Sequence, residues 1–295
     1  LETKFVTANT LICIEKPKIN DQLSLYSTEN LKNMENNLKK IRHKLFSAKS
    51  KDTKLKYRQM DYELRNAIAA ELKLTGWLDD TADKLAKWDP YDQNVSSPFF
   101  DPEWMFDITE GFNIVIGNPP YLGQKGNKEI FQEIQKSYLG KLYHQRRMDL
   151  FYFFLHSAII NSIDLGIISF ITTNYYLTAT YSDKLRAHLE KETICLNFVN
   201  FNEFKVFESA AGQHNLISIF QKKGPKESIC KIIQVQREGV ATNKDLSQIL
   251  NENSDLAQVN FKNNKILFEK GTNYIRLNDT SEKSDNGRIN NILDN

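Results

Sequence analysis

Cysteine is scarce in these 295 residues. Cys13, Cys195 and Cys230 stand far apart and form no CxxC pair. That spacing argues against a disulfide framework and against a structural zinc, and the five histidines also lack metal-ligand spacing. Long apolar runs are missing too. The longest, Leu150 to Ile163, is broken by His156, Ser157 and Asn161. A membrane span needs roughly 20 mostly apolar residues, so this run reads as a buried helix. No signal-peptide pattern opens the sequence. The expectation is a reduced, cytoplasmic protein with no metal and no membrane partner. A net charge of +2 names no partner either.

What is present is core-forming: 40% of residues are hydrophobic and 11% aromatic. Charge is uneven along the chain. From Lys39 to Arg58 the basic residues Lys39, Lys40, Arg42, Lys44, Lys49, Lys51, Lys54, Lys56 and Arg58 face the single acid Asp52. This run fits either the solvated tip of a helical hairpin or an element that contacts phosphates. Leu31, Met34, Leu38, Ile41 and Leu45 recur at helical spacing, as do Met60, Leu64, Ile68 and Leu72. Two antiparallel helices inserted between strands are the simplest account, with the insertion over residues 20–88. Residues 4–14 read as a short buried strand and turn. The stretch 89–107 reads as an aromatic-rich loop.

The remaining pattern is α/β. Phe112-Asn-Ile-Val-Ile reads as a fully buried strand of the parallel type. A helix over 149–163 follows, then a strand over 166–172 and a helix over 182–191. Two more strands are expected at 193–201 and 215–221. This is the pattern of a doubly wound sheet. Beyond Gly224-Pro225 the chain turns polar, with short strand-like pieces at 229–234 and 265–268. A domain boundary is expected there, with a mobile tail from about Asp279.

The first strand runs into Gly117-Asn118-Pro119-Pro120-Tyr121. Ligands of open α/β sheets bind at the carboxyl ends of strands. Paired prolines stiffen this loop and hold it extended. They also remove N–H groups, so the loop offers mainly acceptors, to which Asn118 adds a side-chain carbonyl. Rigid acceptors beside an aromatic ring suit a planar base carrying an exocyclic NH₂. Binding both amino hydrogens frees a lone pair that is otherwise conjugated with the ring, ready for attack on a methyl sulfonium.

Asn-Pro-Pro-Tyr after a buried strand resembles the catalytic motif of S-adenosylmethionine-dependent amino-methyltransferases. The run Gly111-Phe-Asn-Ile-Val-Ile-Gly-Asn-Pro-Pro-Tyr121 resembles the adenine methyltransferase part of type IIG restriction-modification enzymes. Arg147-Met-Asp-Leu-Phe-Tyr-Phe-Phe154, Gly166–Asn174, Phe204-Lys-Val-Phe207 and Asn215–Lys222 follow in that family's order, and Phe5–Leu11 resembles its opening strand.

The resemblance implies a Rossmann-like methyltransferase sheet over 1–223 that moves a methyl group from S-adenosylmethionine to a flipped adenine in double-stranded DNA. Asn118 and the Pro119 carbonyl would hold the amino nitrogen on the loop stiffened by Pro120. Tyr121 and Phe207 would stack on the base. Lys125 and Asn174 are further candidates for substrate contact, and Asn9 for the cofactor's adenine. Lys125 belongs to the loop 123–128, which could contact a phosphate or simply connect.

The family's glycine-rich loop and the acidic residue that follows its second strand are not in this sequence. A piece of a longer protein is therefore expected, inactive alone, with target-recognition and endonuclease parts in the same parent chain. Protein-glutamine methylation, and a DNA-binding module without catalysis, remain as alternatives.

Overall fold

In the computed structural model, residues 4–16, 25–207, 213–252 and 255–277 are described. The tail expected from Asp279 lies outside them. The chain divides into two units, residues 1–111 with 133–142, and 112–132 with 143–295.

The first unit is mainly helical. Helices α1 (Leu25–Ser47) and α2 (Lys51–Leu74) are joined by residues 48–50. Ser50 starts α2 sharply because its hydroxyl accepts from the Thr53 N–H. The periodic residues meet as expected: Leu38, Ile68, Ala69 and Leu72 are buried together with Leu85 of α3 (Asp79–Lys87) and Met105 of α4 (Pro102–Phe106). Val6, Ala8, Ile12 and Ile14 pack on the same cluster, so the hairpin shares its core with the segment before it and the loop after it.

A buried charge cluster holds the hairpin. Asp61 is fully buried and takes Arg42 Nε at 2.9 Å and Arg65 Nε at 2.6 Å. Residues 4–14 do not form the expected strand. Their pairing is limited to isolated bridges, Ala8 with Ser97 and Cys13 with Phe100. The β-branched residues there serve packing rather than a ladder.

The second unit is built on a six-stranded sheet, ordered β1-β2-β5-β3-β6-β8. Its strands are β1 (Phe112–Gly117), β2 (Ser162–Thr173), β3 (Thr193–Asn200), β5 (Asn215–Lys222), β6 (Ile229–Val235) and β8 (Ala257–Asn263). A separate pair joins β4 (Phe204–Lys205) to β7 (Gly239–Val240). Strands β1, β2, β3 and β6 run in one direction, whereas β5 and β8 run in the other. The sheet is Rossmann-like, with an antiparallel strand set between two parallel pairs.

Helices α5 (Lys128–Lys136), α6 (Tyr138–Tyr143) and α7 (Leu150–Asn161) connect β1 to β2, and α8 (Asp183–Glu192) connects β2 to β3. The apolar run anticipated as a buried helix is α7, in which Phe151 and Phe153 are fully covered. A capping box of Thr242 and Asp245 starts α9 (Asn243–Leu250).

Three further expectations change. Gly224-Pro225 is a turn inside this unit rather than a boundary, because β6 pairs with β3 and β8 pairs with β6. The piece expected at 265–268 is mostly a single helical turn over Asn264–Ile266. Strand β1 is not fully buried either. It pairs with β2 alone among the described residues, leaving Ile114 65% and Ile116 79% exposed. An apolar strand is covered only when both its edges and its faces find neighbours.

Candidate functional site

Four parallel strands end on one edge of the sheet, and the antiparallel β5 begins there. Asn118 follows β1, Asn174 follows β2, Asn200 closes β3 and Asn215 opens β5. Amide side chains thus gather where strand ends leave backbone groups to be satisfied.

Gly117 ends β1 because the Phe170 ring crowds it; a Cβ there would lie 2.9 Å from Phe170 Cε1. The loop that follows alternates in burial, with Asn118 exposed, Pro119 buried and Pro120 exposed. Its far side is fastened to the start of α7. Leu150 N donates to the Leu122 carbonyl at 2.8 Å, Gln124 N to Met148 O at 3.0 Å, and Arg147 N to Gln124 Oε1 at 2.7 Å. Prolines on one side and this ladder on the other fix the Asn118 backbone without help from its side chain.

Tyr121 is half-buried. Its hydroxyl donates to the Ile171 carbonyl at 3.1 Å, and its ring meets Phe151 edge-on at 6.4 Å. Burial pushes its phenol pKa up, while the Asn215 carboxamide beside it pulls the other way. Burial likewise raises the Asp149 carboxyl, which sits against Gly123 where loop and helix meet.

Phe207 is half-buried just beyond β4, and no ring contact links it to Tyr121 among the described residues. Lys125 lies exposed at a turn tip beside Gly126, whose φ of +93° suits glycine. Asn174 starts a relay: its Nδ2 donates to Asn200 Oδ1 at 3.1 Å, Asn200 to Asn202 Oδ1 at 2.8 Å, and Asn202 to the Val235 carbonyl at 2.8 Å. The relay lines a groove of about 940 Å³ shared with Gln258, Asn260 and Arg276. Asn9 belongs to the first unit, where its Oδ1 accepts from the Leu11 N–H at 3.2 Å in a local turn.

Sequence reading did not single out Phe151, the ring that meets Tyr121, or the buried Asn215, although the segments Arg147–Phe154 and Asn215–Lys222 were matched to the family. Asn215 stands within a run otherwise read as an ordinary strand, and Phe151 within an apolar helix. Their residue types alone, an amide opening a strand and a Phe in an apolar helix, do not mark a site.

Residues 4–207 match the sequence profile of the Eco57I restriction-modification methylase. No curated protein matches the chain. Among solved structures, the type I restriction-modification system methyltransferase subunit from Streptococcus thermophilus is 13% identical. The match covers 68% of this chain and 44% of that one, with a TM-score of 0.43. A modification subunit of a putative type I restriction enzyme from Vibrio vulnificus YJ016 is 15% identical over 75% of this chain and 52% of that one, with a TM-score of 0.42. The type IIG restriction endonuclease BpuSI is 15% identical over 77% and 30%, with a TM-score of 0.44. The matched chain spans about half the length of these structures or less.

Proposed function

This chain belongs to the Eco57I restriction-modification methylase family, and from that premise we propose that it carries the base-holding half of a DNA adenine-N6 methyltransferase. The observation that carries this reading is the Asn118-Pro119-Pro120-Tyr121 loop, rigid at the carboxyl end of β1 with the Asn118 carboxamide exposed.

Asn118 Oδ1 and the Pro119 carbonyl accept the two hydrogens of the adenine 6-amino group. With both hydrogens held, the nitrogen becomes pyramidal and its lone pair turns away from the ring. The acceptors need no rearrangement when positive charge develops on nitrogen, which is where preorganised dipoles contribute most. Tyr121 stacks on one face of the flipped base and Phe207 on the other, offsetting part of the cost of extrusion. Lys125, exposed at its turn tip, is the candidate for a phosphate contact, and half-buried Asn174 remains a candidate for contact with the substrate. The partner is double-stranded DNA, with target-recognition and endonuclease parts of the same parent protein beside it.

S-adenosylmethionine, the source of an electrophilic methyl group, is the cofactor this reading implies. The residues present do not compose its site. Asn9 spends its carboxamide oxygen on a backbone N–H, and ahead of β1 only Gly76 and Gly111 interrupt the side chains, with no glycine-rich turn after a strand. What these residues do is therefore confined to the base.

Substituting Asn118→Ala in the full-length protein tests the reading. Removing one preorganised hydrogen-bonding group of this kind costs about 10²–10³ in rate. Transfer of labelled methyl to adenine-containing duplexes is expected to fall by that factor, with duplex binding by gel shift intact. Transfer at an undiminished rate overturns the assignment.

A further inference from the structure

The amide-lined groove beside the loop has a composition that the chemistry above does not use. It opens at Asn174, one strand along from Asn118, and is walled by the ends of β2, β3 and β6 and by β8. Asn200, Gln234 and Gln258 stand abreast on three neighbouring strands. Buried Leu177, Ile232 and Ile275 floor the groove, and Lys262 and Arg276 bring positive charge. No Asp or Glu lines it among the described residues.

The hydrogen bonds within the groove decide what it can still bind. The Val235 carbonyl can only accept, so Asn202 must turn its NH₂ towards it. The Asn202 main-chain N–H can only donate, and at 3.4 Å it meets Asn200 Oδ1. These two backbone groups fix the sense of the whole relay from Asn174 to Asn202. The relay spends the carbonyl oxygens of Asn200 and Asn202, but only one hydrogen of each NH₂. The opposite wall behaves alike. Gln236 donates to Gln258 Oε1 at 2.9 Å and Gln258 to Asn260 Oδ1 at 3.5 Å, so oxygens are spent and N–H groups remain. A lining with spare donors, two cations and no carboxylate selects a ligand that is negative and rich in acceptors.

We propose that the groove holds the sugar–phosphate backbone of the DNA strand that carries the target adenine. Phosphate oxygens accept and never donate, deoxyribose suits the apolar floor, and amide and guanidinium groups contact both. From β2 to β8 the edge crosses four strand spacings, roughly 19 Å. At about 3.4 Å of rise per nucleotide, that length follows several successive phosphates rather than one anion. Because the groove opens beside the Asn118 loop, the strand it receives is the one whose base is flipped there. Arg276 stays 45% exposed at the rim, with Glu269 at 3.4 Å rather than in a tight pair. This assignment rests on DNA being the substrate.

Arg276 and Gln258 are both exposed, so their substitution leaves the fold intact, which thermal melting checks. Duplex affinity of the full-length protein is measured by fluorescence anisotropy across a salt series. Arg276→Gln should flatten the slope of log affinity against log salt by about 0.9, the share of one phosphate. Gln258→Glu keeps the side-chain shape but sets a carboxylate against the backbone, and should weaken binding about tenfold, the weight of a charge-assisted hydrogen bond. Parent affinity and slope in both variants overturn the proposal.

Duplexes carrying a single neutral methylphosphonate, scanned along either strand near the adenine, locate the contact. At one linkage of the adenine strand the parent should lose about tenfold and Arg276→Gln almost nothing more, because both changes remove the same contact. Equal penalties in parent and variant at every linkage overturn it. If the variants respond only to the identity of a neighbouring base pair, the groove reads bases and the backbone assignment fails. A parent that binds no duplex refutes the DNA reading itself, whereas equal binding by the parent, Arg276→Gln and Gln258→Glu refutes only the groove.

Discussion

Replacing Phe151 by leucine separates what holds the fold from what holds the site. Phe151 is fully buried in α7 and meets three rings edge-on: Tyr121 at 6.4 Å, Tyr152 at 4.7 Å and Tyr176 at 6.1 Å. Each such contact contributes about 0.5–1.5 kcal/mol beyond simple burial. Leucine keeps most of the apolar area but none of the edge geometry. Because the three contacts share one ring they do not add fully, and a stability loss of about 2 kcal/mol is expected. At about 2–4 °C per kcal/mol for a protein of this size, the melting temperature should fall by roughly 4–8 °C.

Only the share of that loss belonging to Tyr121 reaches methyl transfer. That share is about 0.5–1.5 kcal/mol, equivalent to a rate roughly 2–13 times slower. Thermal melting and single-turnover methylation on one preparation measure both quantities. A lower melting temperature with an unchanged rate refutes the claim that Phe151 sets the ring of Tyr121. A loss beyond a hundredfold with an unchanged melt would mean that Phe151 touches the base itself.

Asp61→Asn leaves Arg42 and Arg65 without their carboxylate in a buried setting. Breaking such a cluster costs about 3–5 kcal/mol, and the helical signal should melt on the order of 10 °C earlier; a fall of only a degree or two would show that the charges are not coupled to folding. His156 and His188 lie with their Nδ1 atoms 2.8 Å apart under the Tyr143 ring, and burial lowers both pKa values, the more so for His156. Below the ordinary histidine value of about 6.5 the unfolded chain binds protons that the folded chain refuses, so stability falls with pH by up to about 1.4 kcal/mol per unit for each histidine. His156→Phe keeps the stacked ring and should flatten that acid slope; an equal slope in denaturant titrations from about pH 7 to 5 counts against it. Lys49 and Lys51 are exposed and Lys54 half-exposed at the hairpin tip. Changing all three to glutamine should flatten the salt dependence of duplex binding, at close to one unit of slope for each phosphate no longer neutralised. An unchanged slope assigns them to solvent.

Local rules made much of this fold readable. The spacing of Leu38 and Ile68 is a property of one helix at a time, and the Leu150–Ile163 run describes its own burial. Beyond Gly224 the strand-like piece at 229–234 is β6, but the next strand was hidden for a physical reason. Strand β8, Ala-Gln-Val-Asn-Phe-Lys-Asn, has β6 as its single neighbour among the described residues and stays half in solvent, so it carries no apolar run. Gly224 looked like a linker because glycine usually marks one. Here it lies against a side chain instead, since a Cβ would stand 2.5 Å from Ile194 Cδ1 and would force that chain to shift. Strand β1 misled in the opposite direction, its apolar residues suggesting a cover that β2 alone does not give.

The site divides along the same line. The rigid loop at Asn118 was legible because two consecutive proline rings dictate their own geometry. Tyr121 differs in kind. Its hydroxyl donates to Ile171, 50 residues away in sequence, and its ring meets Phe151 on a helix. No spacing rule joins those positions, because a loop, a strand and a helix bring them together only in the fold. A motif therefore names the candidate atoms for holding a substrate, while the groups packed around them follow from the tertiary fold.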